Sequence, residues 1–255
     1  MKSVILCGGL GTRLREETEF RPKPMIMVGD KPILWHIMKL YSHYGFRDFI
    51  LCLGYKGEVI KNYFLEYDIV NSDFTISLGT KEITRHSVFH DESDWRVTLA
   101  ETGDRTMTGG RIKKIEKYID GDTFIMTYGD GLANINLREL IKFHREKGKI
   151  ATVTGVRPVA RFGELSVDGD LVRDFSEKPQ IEQGWINGGF FVFQRSAFDY
   201  LDEECVLEKG PLERLARDNQ LAIYKHTGYW RCMDTYRDLE ALNQDWASGR
   251  PGWLE

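Results

Sequence analysis

A glycine-rich loop follows the first apolar segment of the sequence. Residues 3–14 read SVILCGGLGTRL, a short apolar run followed by a loop that contains Gly8, Gly9, Gly11, Thr12 and Arg13. Bare backbone N–H groups at the end of a strand bind anions, often phosphates. Leu14 stands where a dinucleotide fingerprint needs its third glycine, and the Gly-Lys-Ser/Thr of a P-loop is missing. These residues alone fit a phosphate loop of another kind or a plain turn equally well.

Two acidic residues stand out by their placement. Asp130 follows the apolar run FIMTYG, and Asp234 directly precedes Thr235, the predicted start of the last helix. If both lie at the carboxyl ends of strands, they could meet in one crevice, where paired carboxylates facing phosphate oxygens suit Mg²⁺. Each has a simpler interpretation, because Asp-Gly is a common turn dipeptide and an Asp before a helix is usually an N-cap.

Two lysines occupy segments stiffened by proline. Lys23 lies in FRPKPM between Pro22 and Pro24, and Lys178 lies in FSEKP beside Pro179. Proline fixes its own φ and pushes its predecessor to an extended conformation, so such a segment can aim a lysine with little entropy left to lose. The alternative for each is a solvated lysine in an extended loop.

Glycines also mark two segments further along the chain. Residues 102–114, TGDRTMTGGRIKK, form a second glycine-rich loop entering a helix, in which Gly110 allows close backbone approach and Arg111 adds a charge. Asn187-Gly188-Gly189 lies inside a strand pattern. Glycines weaken strands unless something approaches closely, so a sugar ring or a β-bulge would explain them.

Strand-like and helix-like segments alternate through the first 150 residues. Apolar runs and helical periodicity predict strands at 3–7, 48–53, 74–78, 96–100 and 124–130, and helices at 31–45, 56–67, 109–119 and 136–148. This order indicates a parallel sheet with helices on both faces. In such sheets ligands bind at the carboxyl ends of the strands, where the glycine loop and the YGDG turn lie.

The pattern changes after residue 150. We predict strands at 151–156, 186–194 and 221–226, a hairpin at 163–178 and helices at 211–219 and 235–247. The expected fold is a single α/β domain over residues 1–255, Rossmann-like, with a mixed, mostly parallel sheet flanked by helices and a hairpin inserted in the C-terminal half. Residues 1–150 would form a nucleotide-binding half and residues 151–255 a mixed half that shares its sheet.

Composition excludes several classes of protein. The 35 basic and 39 acidic residues are well mixed, so the net charge of −4 indicates neither a nucleic-acid nor a membrane-surface partner. The four cysteines form no C-x-x-C pair, which favours a reduced, cytoplasmic protein without a zinc site. We expect neither a signal peptide nor a membrane span, because the first apolar run is too short and no stretch could cross a bilayer.

Taken together, these motifs resemble the sugar-1-phosphate nucleotidylyltransferase family. GGLGTRL, RPKPM, YGDG, FSEKP, INGGFFV and MDT occur in the order typical of that family over nearly the whole chain. KPILWHIMKLYS, GYKG, TGDRTMTGGR and MDTYRD resemble the members that transfer CMP to glucose 1-phosphate. The resemblance implies a Rossmann-like fold, Mg²⁺ as cofactor, CTP and a sugar 1-phosphate as substrates, and a homo-oligomer.

The resemblance also implies a role for each site residue. The loop from Leu6 to Arg13 would hold the triphosphate, Lys23 would bind phosphate oxygens near the reacting phosphorus, and Gly110, Arg111 and Gly129 would lie at the nucleotide. Asp130 and Asp234 would hold Mg²⁺. Lys178 would bind the sugar phosphate, with Glu177 and Asn187 on the sugar hydroxyls. Arg13 and Lys23 are the expected catalytic residues.

Two alternatives stay open at this point. The same chemistry could use another sugar 1-phosphate, or UTP or dTTP. A non-catalytic nucleotide-sugar sensor could keep the fold, but it would be expected to lack Lys23, Asp130 or Asp234, and all three are present.

Overall fold

The structure is a computed structural model that describes residues 1–9, 11–86, 91–157, 164–168, 171–176 and 184–254. The strands, in chain order, are β1 Ser3–Leu6, β2 Met27–Val28, β3 Lys31–Pro32, β4 Asp48–Leu53, β5 Phe74–Ile76, β6 Ile83–Arg85, β7 Arg96–Glu101, β8 Thr123–Tyr128, β9 Gly131–Ala133, β10 Ala151–Val156, β11 Glu164–Asp168, β12 Leu171–Ser176, β13 Ile186–Gln194, β14 Leu221–His226 and β15 Trp230–Cys232. The α-helices are α1 Arg15–Thr18, α2 Ile33–His43, α3 Gly57–Leu65, α4 Tyr67–Val70, α5 Thr108–Lys114, α6 Leu137–Lys147, α7 Pro211–Arg217 and α8 Tyr236–Ala247. Short 3₁₀ turns lie at Thr12–Leu14, Lys23–Met25, Glu116–Tyr118 and Arg195–Tyr200.

A seven-stranded sheet organises the part of the chain that the structure describes. Its strand order is β14-β10-β13-β8-β1-β4-β7, so strands from before and after residue 150 share it. Four of its pairings are parallel, and β13 is antiparallel to both of its neighbours. The predicted fold class, a mostly parallel mixed sheet flanked by helices, is confirmed, and the β11–β12 hairpin lies where it was expected.

Both faces of the sheet are buried, as parallel sheets require. Alternate residues of β1 show this, because Val4 and Leu6 belong to one apolar cluster and Ile5 belongs to the other. Helices α2, α3, α6 and α8 contribute to the cluster that contains Ile5. Helices α5 and α7 contribute to the opposite cluster.

Helix α2 forms where apolar residues recur at helical spacing. The expected inward face of Ile33, Leu34, Ile37, Met38 and Tyr41 is fully buried. The helix ends at His43, and the chain turns at Gly45, whose φ of 88° lies in the left-handed region that glycine adopts without strain. Burying this face anchors the helix to the central sheet.

The predicted strand at 74–78 does not join the central sheet. Residues Phe74–Ile76 instead pair with Ile83–Arg85 in a separate two-stranded ribbon, and the second of these strands was not predicted. The cause is visible in the burial pattern, because all six residues are exposed and so carry little of the apolar periodicity that marks a core strand.

The carboxyl ends of four strands lie side by side at one end of the sheet, which we call its carboxyl edge. Because β8, β1, β4 and β7 are mutually parallel, the chain leaves all four on the same side. The N-terminal end of β13 lies at the same edge, since that strand is antiparallel to β8. This edge therefore gathers the glycine loop, the turn after Tyr128 and the segment around Asn187. None of the described helices is long and apolar enough to cross a membrane.

Candidate active site

The glycine loop leaves β1 and folds back onto a short helical segment. The N–H of Leu14 donates to the carbonyl of Gly11 at 2.9 Å, and the Thr18 hydroxyl contacts the same carbonyl at 3.1 Å. Thr12 and Arg13 are exposed at the rim. The loop is thus closed by its own hydrogen bonds, with a hydroxyl and a guanidinium at the open edge of the sheet.

Arg111 lies behind the glycine loop and is buried. Its guanidinium donates to the carbonyls of Gly8 and Leu53, each at 2.9 Å, and to the Thr102 hydroxyl at 2.7 Å. These groups follow or end three neighbouring strands, so one side chain fixes the carboxyl ends of β1, β4 and β7 relative to each other. A Cβ atom built on Gly8 would lie 2.1 Å from this guanidinium, which explains why glycine occupies the position.

We predict that Gly8→Ala and Gly9→Ala differ sharply in stability. Alanine at 8 must displace a buried, hydrogen-bonded guanidinium, so we expect it to lower the free energy of unfolding by about 1–3 kcal/mol. A Cβ atom at the exposed Gly9 meets nothing within 4 Å, and we expect a change within about 0.5 kcal/mol there. Urea unfolding of both variants measures the difference, and equal stability would contradict the role of Arg111.

A two-stranded ribbon brings the two predicted acidic residues together. Strands β9 and β15 pair antiparallel with Gly131 opposite Cys232, so Asp130 and Asp234 flank the same end of the ribbon. The Met233 N–H donates to the carbonyl of Asp130 at 2.8 Å. The N-cap of α8 is Thr235, which forms a capping box with Asp238. The N-cap interpretation of Asp234 is therefore wrong.

Lys23 lies between these two carboxylates. Its Nζ donates to Asp130 Oδ2 at 2.6 Å and to Asp234 Oδ1 at 2.8 Å, and its side chain is only 15% exposed. Pro22 precedes its 3₁₀ turn with extended backbone, and Pro24 is buried. Lys23 is thus a positioned lysine in the crevice, and the solvated-loop alternative is wrong.

The charges of the crevice balance one another. Arg13 Nη1 donates to Asp234 Oδ2 at 2.8 Å from the exposed rim. Burial alone would lower the pKa of Lys23, but the charges and hydrogen bonds of Asp130 and Asp234 outweigh it, so the pKa lies above its usual value. Lys23 is therefore a fixed positive charge, suited to neutralising an anion rather than to transferring a proton.

The carboxylate pair fits a divalent ion by its chemistry. Mg²⁺ takes one or two protein carboxylates and completes its shell with waters and substrate phosphates. Asp130 and Asp234 supply those two carboxylates at one point, and Lys23 holds a positive charge against both of them. Among the described residues no group of three or more His, Cys, Asp or Glu could form an all-protein metal cage. In this arrangement a metal ion would be bound by the two carboxylates together with phosphate oxygens of a substrate.

The remaining predicted nucleotide residues lie around the same edge. The Gly129 N–H donates to the carbonyl of Leu6 at 3.1 Å, which joins the turn after β8 to the start of the glycine loop. Gly110 is buried, and its N–H donates to the carbonyl of Cys205 at 3.0 Å. The visible contacts of Gly110 and Arg111 are therefore to the chain itself, and their nucleotide contacts stay predictions.

Of the predicted sugar-phosphate residues, the structure describes Asn187. Glu177 and Lys178 lie outside the described residues. Asn187 is exposed at the start of β13, and its Oδ1 accepts the N–H of Gly189 at 2.8 Å. Gly189 has a φ of 84°, and a Cβ atom there would lie 2.8 Å from the Tyr128 ring. Close approach of a protein side chain thus explains this glycine.

Sequence reasoning missed Tyr128, which contacts the predicted Asn187, and Glu208, which contacts Tyr128. Tyr128 precedes Gly129, and its hydroxyl receives a hydrogen bond from Asn187 at 3.4 Å. Glu208, from a loop eighty residues later, accepts from that same hydroxyl. The YGDG motif could have pointed to Tyr128, but Glu208 stands in the segment LEKGP, which carries no recognisable pattern.

Comparison with known proteins assigns the chain to a family. The sequence profile of a family described as nucleotidyl transferase matches residues 2–248. The chain is 49% identical over 255 residues to a probable glucose-1-phosphate cytidylyltransferase of Bacillus subtilis, with 99% of both chains covered. It is 47% identical over 256 residues to a glucose-1-phosphate cytidylyltransferase of Salmonella typhimurium, covering 99% of this chain and 98% of the relative.

The fold agrees with a solved structure as well. The crystal structure of HddC from Yersinia pseudotuberculosis superimposes with a TM-score of 0.68 at 24% identity, covering 96% of this chain and 99% of that one. At that identity the likeness speaks for the fold alone. The family profile covers nearly the whole chain, and so does the identity with the two cytidylyltransferases. The protein belongs to the nucleotidyl transferase family.

Proposed function

We propose that this protein transfers CMP from CTP to α-D-glucose 1-phosphate, giving CDP-glucose and pyrophosphate. The observation that carries the proposal is the crevice in which Lys23 joins Asp130 and Asp234 at the carboxyl edge of the sheet. A positioned positive charge at such a site lowers the repulsion between two phosphates that must approach each other. The choice of base and sugar rests on relatives named glucose-1-phosphate cytidylyltransferase at 47–49% identity over almost the full length.

The reaction would be an in-line displacement at phosphorus. An oxygen of the sugar phosphate forms a bond to the α-phosphorus of CTP, while the bond from that phosphorus to the oxygen bridging to the β-phosphate breaks. Pyrophosphate leaves with the electron pair. Two anions must approach, and negative charge grows on the departing oxygen, so the reaction needs positioned positive charge more than it needs a protein nucleophile.

This chain supplies that charge from two directions. Arg13 at the rim and the backbone N–H groups from Gly8 to Thr12 would bind the triphosphate. Lys23 would neutralise phosphate oxygens next to the reacting phosphorus, and the prolines around it hold it in place before substrate arrives. Lys178 would bind the sugar phosphate, with Glu177 and Asn187 on the sugar hydroxyls.

Asp130 and Asp234 would hold Mg²⁺, which when bound neutralises phosphate charge in such reactions. In the structure both carboxylates pair with Lys23. We therefore propose that Lys23 exchanges a carboxylate for a phosphate oxygen as the ion and the nucleotide enter. The lysine then keeps the two carboxylates together until that moment.

A substrate panel tests the proposal directly. The purified protein is incubated with each of the four NTPs, with dTTP and with a set of sugar 1-phosphates, and released pyrophosphate is measured with and without Mg²⁺. We expect turnover to be highest with CTP and glucose 1-phosphate. Preference for UTP, dTTP or another sugar would keep the chemistry and change the specificity. Nucleotide-sugar binding without turnover under any pair would favour the sensor alternative.

We also propose a homo-oligomer in a reducing, cytoplasmic setting. The family resemblance supports association of subunits, and all four cysteines are free. Light scattering coupled to size-exclusion chromatography tests the first point, with a monomer as the contradicting result.

A further inference from the structure

A line of hydrogen bonds connects the two halves of the candidate site. Asn187 Nδ2 donates to the Tyr128 hydroxyl at 3.4 Å, and that hydroxyl donates to Glu208 Oε1. The other carboxylate oxygen, Oε2, accepts from the Thr108 hydroxyl at 2.7 Å. Thr108 Oγ1 in turn accepts the N–H of Leu207 at 2.9 Å. The Glu208 carboxylate therefore binds Tyr128, which contacts the predicted sugar-binding residue Asn187, and Thr108, which begins the helix that contains the predicted nucleotide-binding residues. We call these the sugar side and the nucleotide side of the site.

The two ends of this line lie where ligands are expected. Asn187 begins the segment predicted to bind the sugar, while Thr108 opens α5, which contains Gly110 and Arg111. The Tyr128 ring fills the space against Gly189, and its residue is followed by Gly129 and Asp130. A shift of this ring would therefore displace both β13, at Gly189, and the turn that contains Asp130.

The Tyr128 hydroxyl is suited to act as a fixed donor. The Tyr128 ring packs against Gly189, and its hydroxyl donates to Glu208 Oε1 while it accepts from Asn187 Nδ2. A hydrogen bond to a carboxylate is stronger than one between neutral groups. Since an exposed asparagine such as Asn187 would otherwise sample several rotamers, an anchored partner reduces the entropy lost when a ligand binds.

We propose that Glu208 is a positioning residue that sets the sugar side of the site through Tyr128 and Asn187, and the nucleotide side through Thr108. The proposal rests on the proposed function for the identity of the two ligands. Glu208 itself touches neither reacting group. Its part is to keep the two binding surfaces at a constant spacing, which an in-line displacement between two bound phosphates requires.

Four variants separate the two branches. Tyr128→Phe removes only the sugar-side branch, and we expect KM for glucose 1-phosphate to rise about tenfold with KM for CTP within about twofold. Thr108→Val removes only the nucleotide-side branch, and we expect the reverse pattern. Glu208→Ala should raise both constants, and Glu208→Gln, which keeps one acceptor oxygen, should lie closer to wild type in both.

Tyr200→Phe is the matched control. Its hydroxyl also donates to a carboxylate, that of Asp218 at 2.9 Å, in an exposed pair that belongs to neither branch. We expect this variant to leave both KM values unchanged. Thermal unfolding of every variant accompanies the kinetics, because a purely structural role for Glu208 would lower the Tm of Glu208→Ala and leave both of its KM values at wild-type level.

Two results would overturn the proposal. The first is an equal change of both KM values in Tyr128→Phe and in Thr108→Val. The second is a Glu208→Ala protein with both KM values at wild-type level. If wild type prefers another nucleotide or sugar phosphate, the proposed function fails instead, and the same variants are measured with the preferred pair, where the split between nucleotide and sugar-phosphate KM still decides the role of Glu208.

Discussion

Lys23→Ala is expected to lower kcat at least about a hundredfold, the typical loss when a preorganised electrostatic donor is removed from a reacting centre. Lys23 is nearly buried between two carboxylates, and its charge is held in position before substrate binds. Without it, the crevice presents two carboxylates to an incoming triphosphate, so the electrostatic environment changes from balanced to repulsive. Both nucleotide binding and the chemical step should suffer. Pyrophosphate release at saturating CTP and sugar phosphate measures the second effect.

The chain contains a close control for this substitution. Lys2 donates to Asp48 at 2.8 Å with side-chain exposures of 13% and 26%, against 15% and 28% for Lys23 and Asp130. Lys2 lies at the other end of the strands from the site, just before the start of β1. Lys2→Ala should therefore cost similar stability and leave kcat within about twofold. A Lys23→Ala protein as active as Lys2→Ala would refute the electrostatic role.

The central sheet and its helices could be predicted because their burial follows the sequence. Strands β1, β4 and β8 are buried on both faces, so they appear as continuous apolar runs, and α2 has a complete apolar face. The ribbon of β5 and β6 was misplaced for the opposite reason, since its residues are exposed and their pairing depends on a local turn.

The site was only partly predictable. Asp130 and Asp234 could be named from the ends of apolar segments, but their placement on either side of Lys23 depends on the pairing of β9 with β15, two three-residue strands with no pattern of their own. Arg111 carries a charge that the sequence assigns to a ligand, whereas in the structure it holds strand ends by their carbonyls. Such long-range backbone contacts leave no periodic trace in the sequence, and the same holds for Glu208.

Asp130→Ala should abolish the response to Mg²⁺ together with activity. Losing one of two carboxylate ligands removes charge neutralisation of several kcal/mol, which corresponds to a fall in turnover of about a thousandfold. The loss should persist at high Mg²⁺, because the remaining carboxylate, that of Asp234, is already paired with Lys23 and Arg13. Asp48→Ala, at the other end of the strands from the site, is the control and should keep its response to the ion.

Comparing Asp130→Ala with Lys23→Ala distinguishes a metal ligand from a counter-charge. Both variants should be nearly inactive, so the deciding measurement is the rise of Tm on adding Mg²⁺ with a non-hydrolysable CTP analogue. An ion that binds only the native state raises stability by RT ln(1 + [L]/Kd). A variant that has lost a carboxylate coordinating the ion should therefore show no rise of Tm when Mg²⁺ is added to the protein and the analogue. Lys23→Ala should keep the rise, because both carboxylates proposed to hold the ion, those of Asp130 and Asp234, are still present in that variant. An Asp130→Ala protein that is stabilised by Mg²⁺ as much as wild type would place the ion elsewhere and leave Asp130 as the partner that positions Lys23.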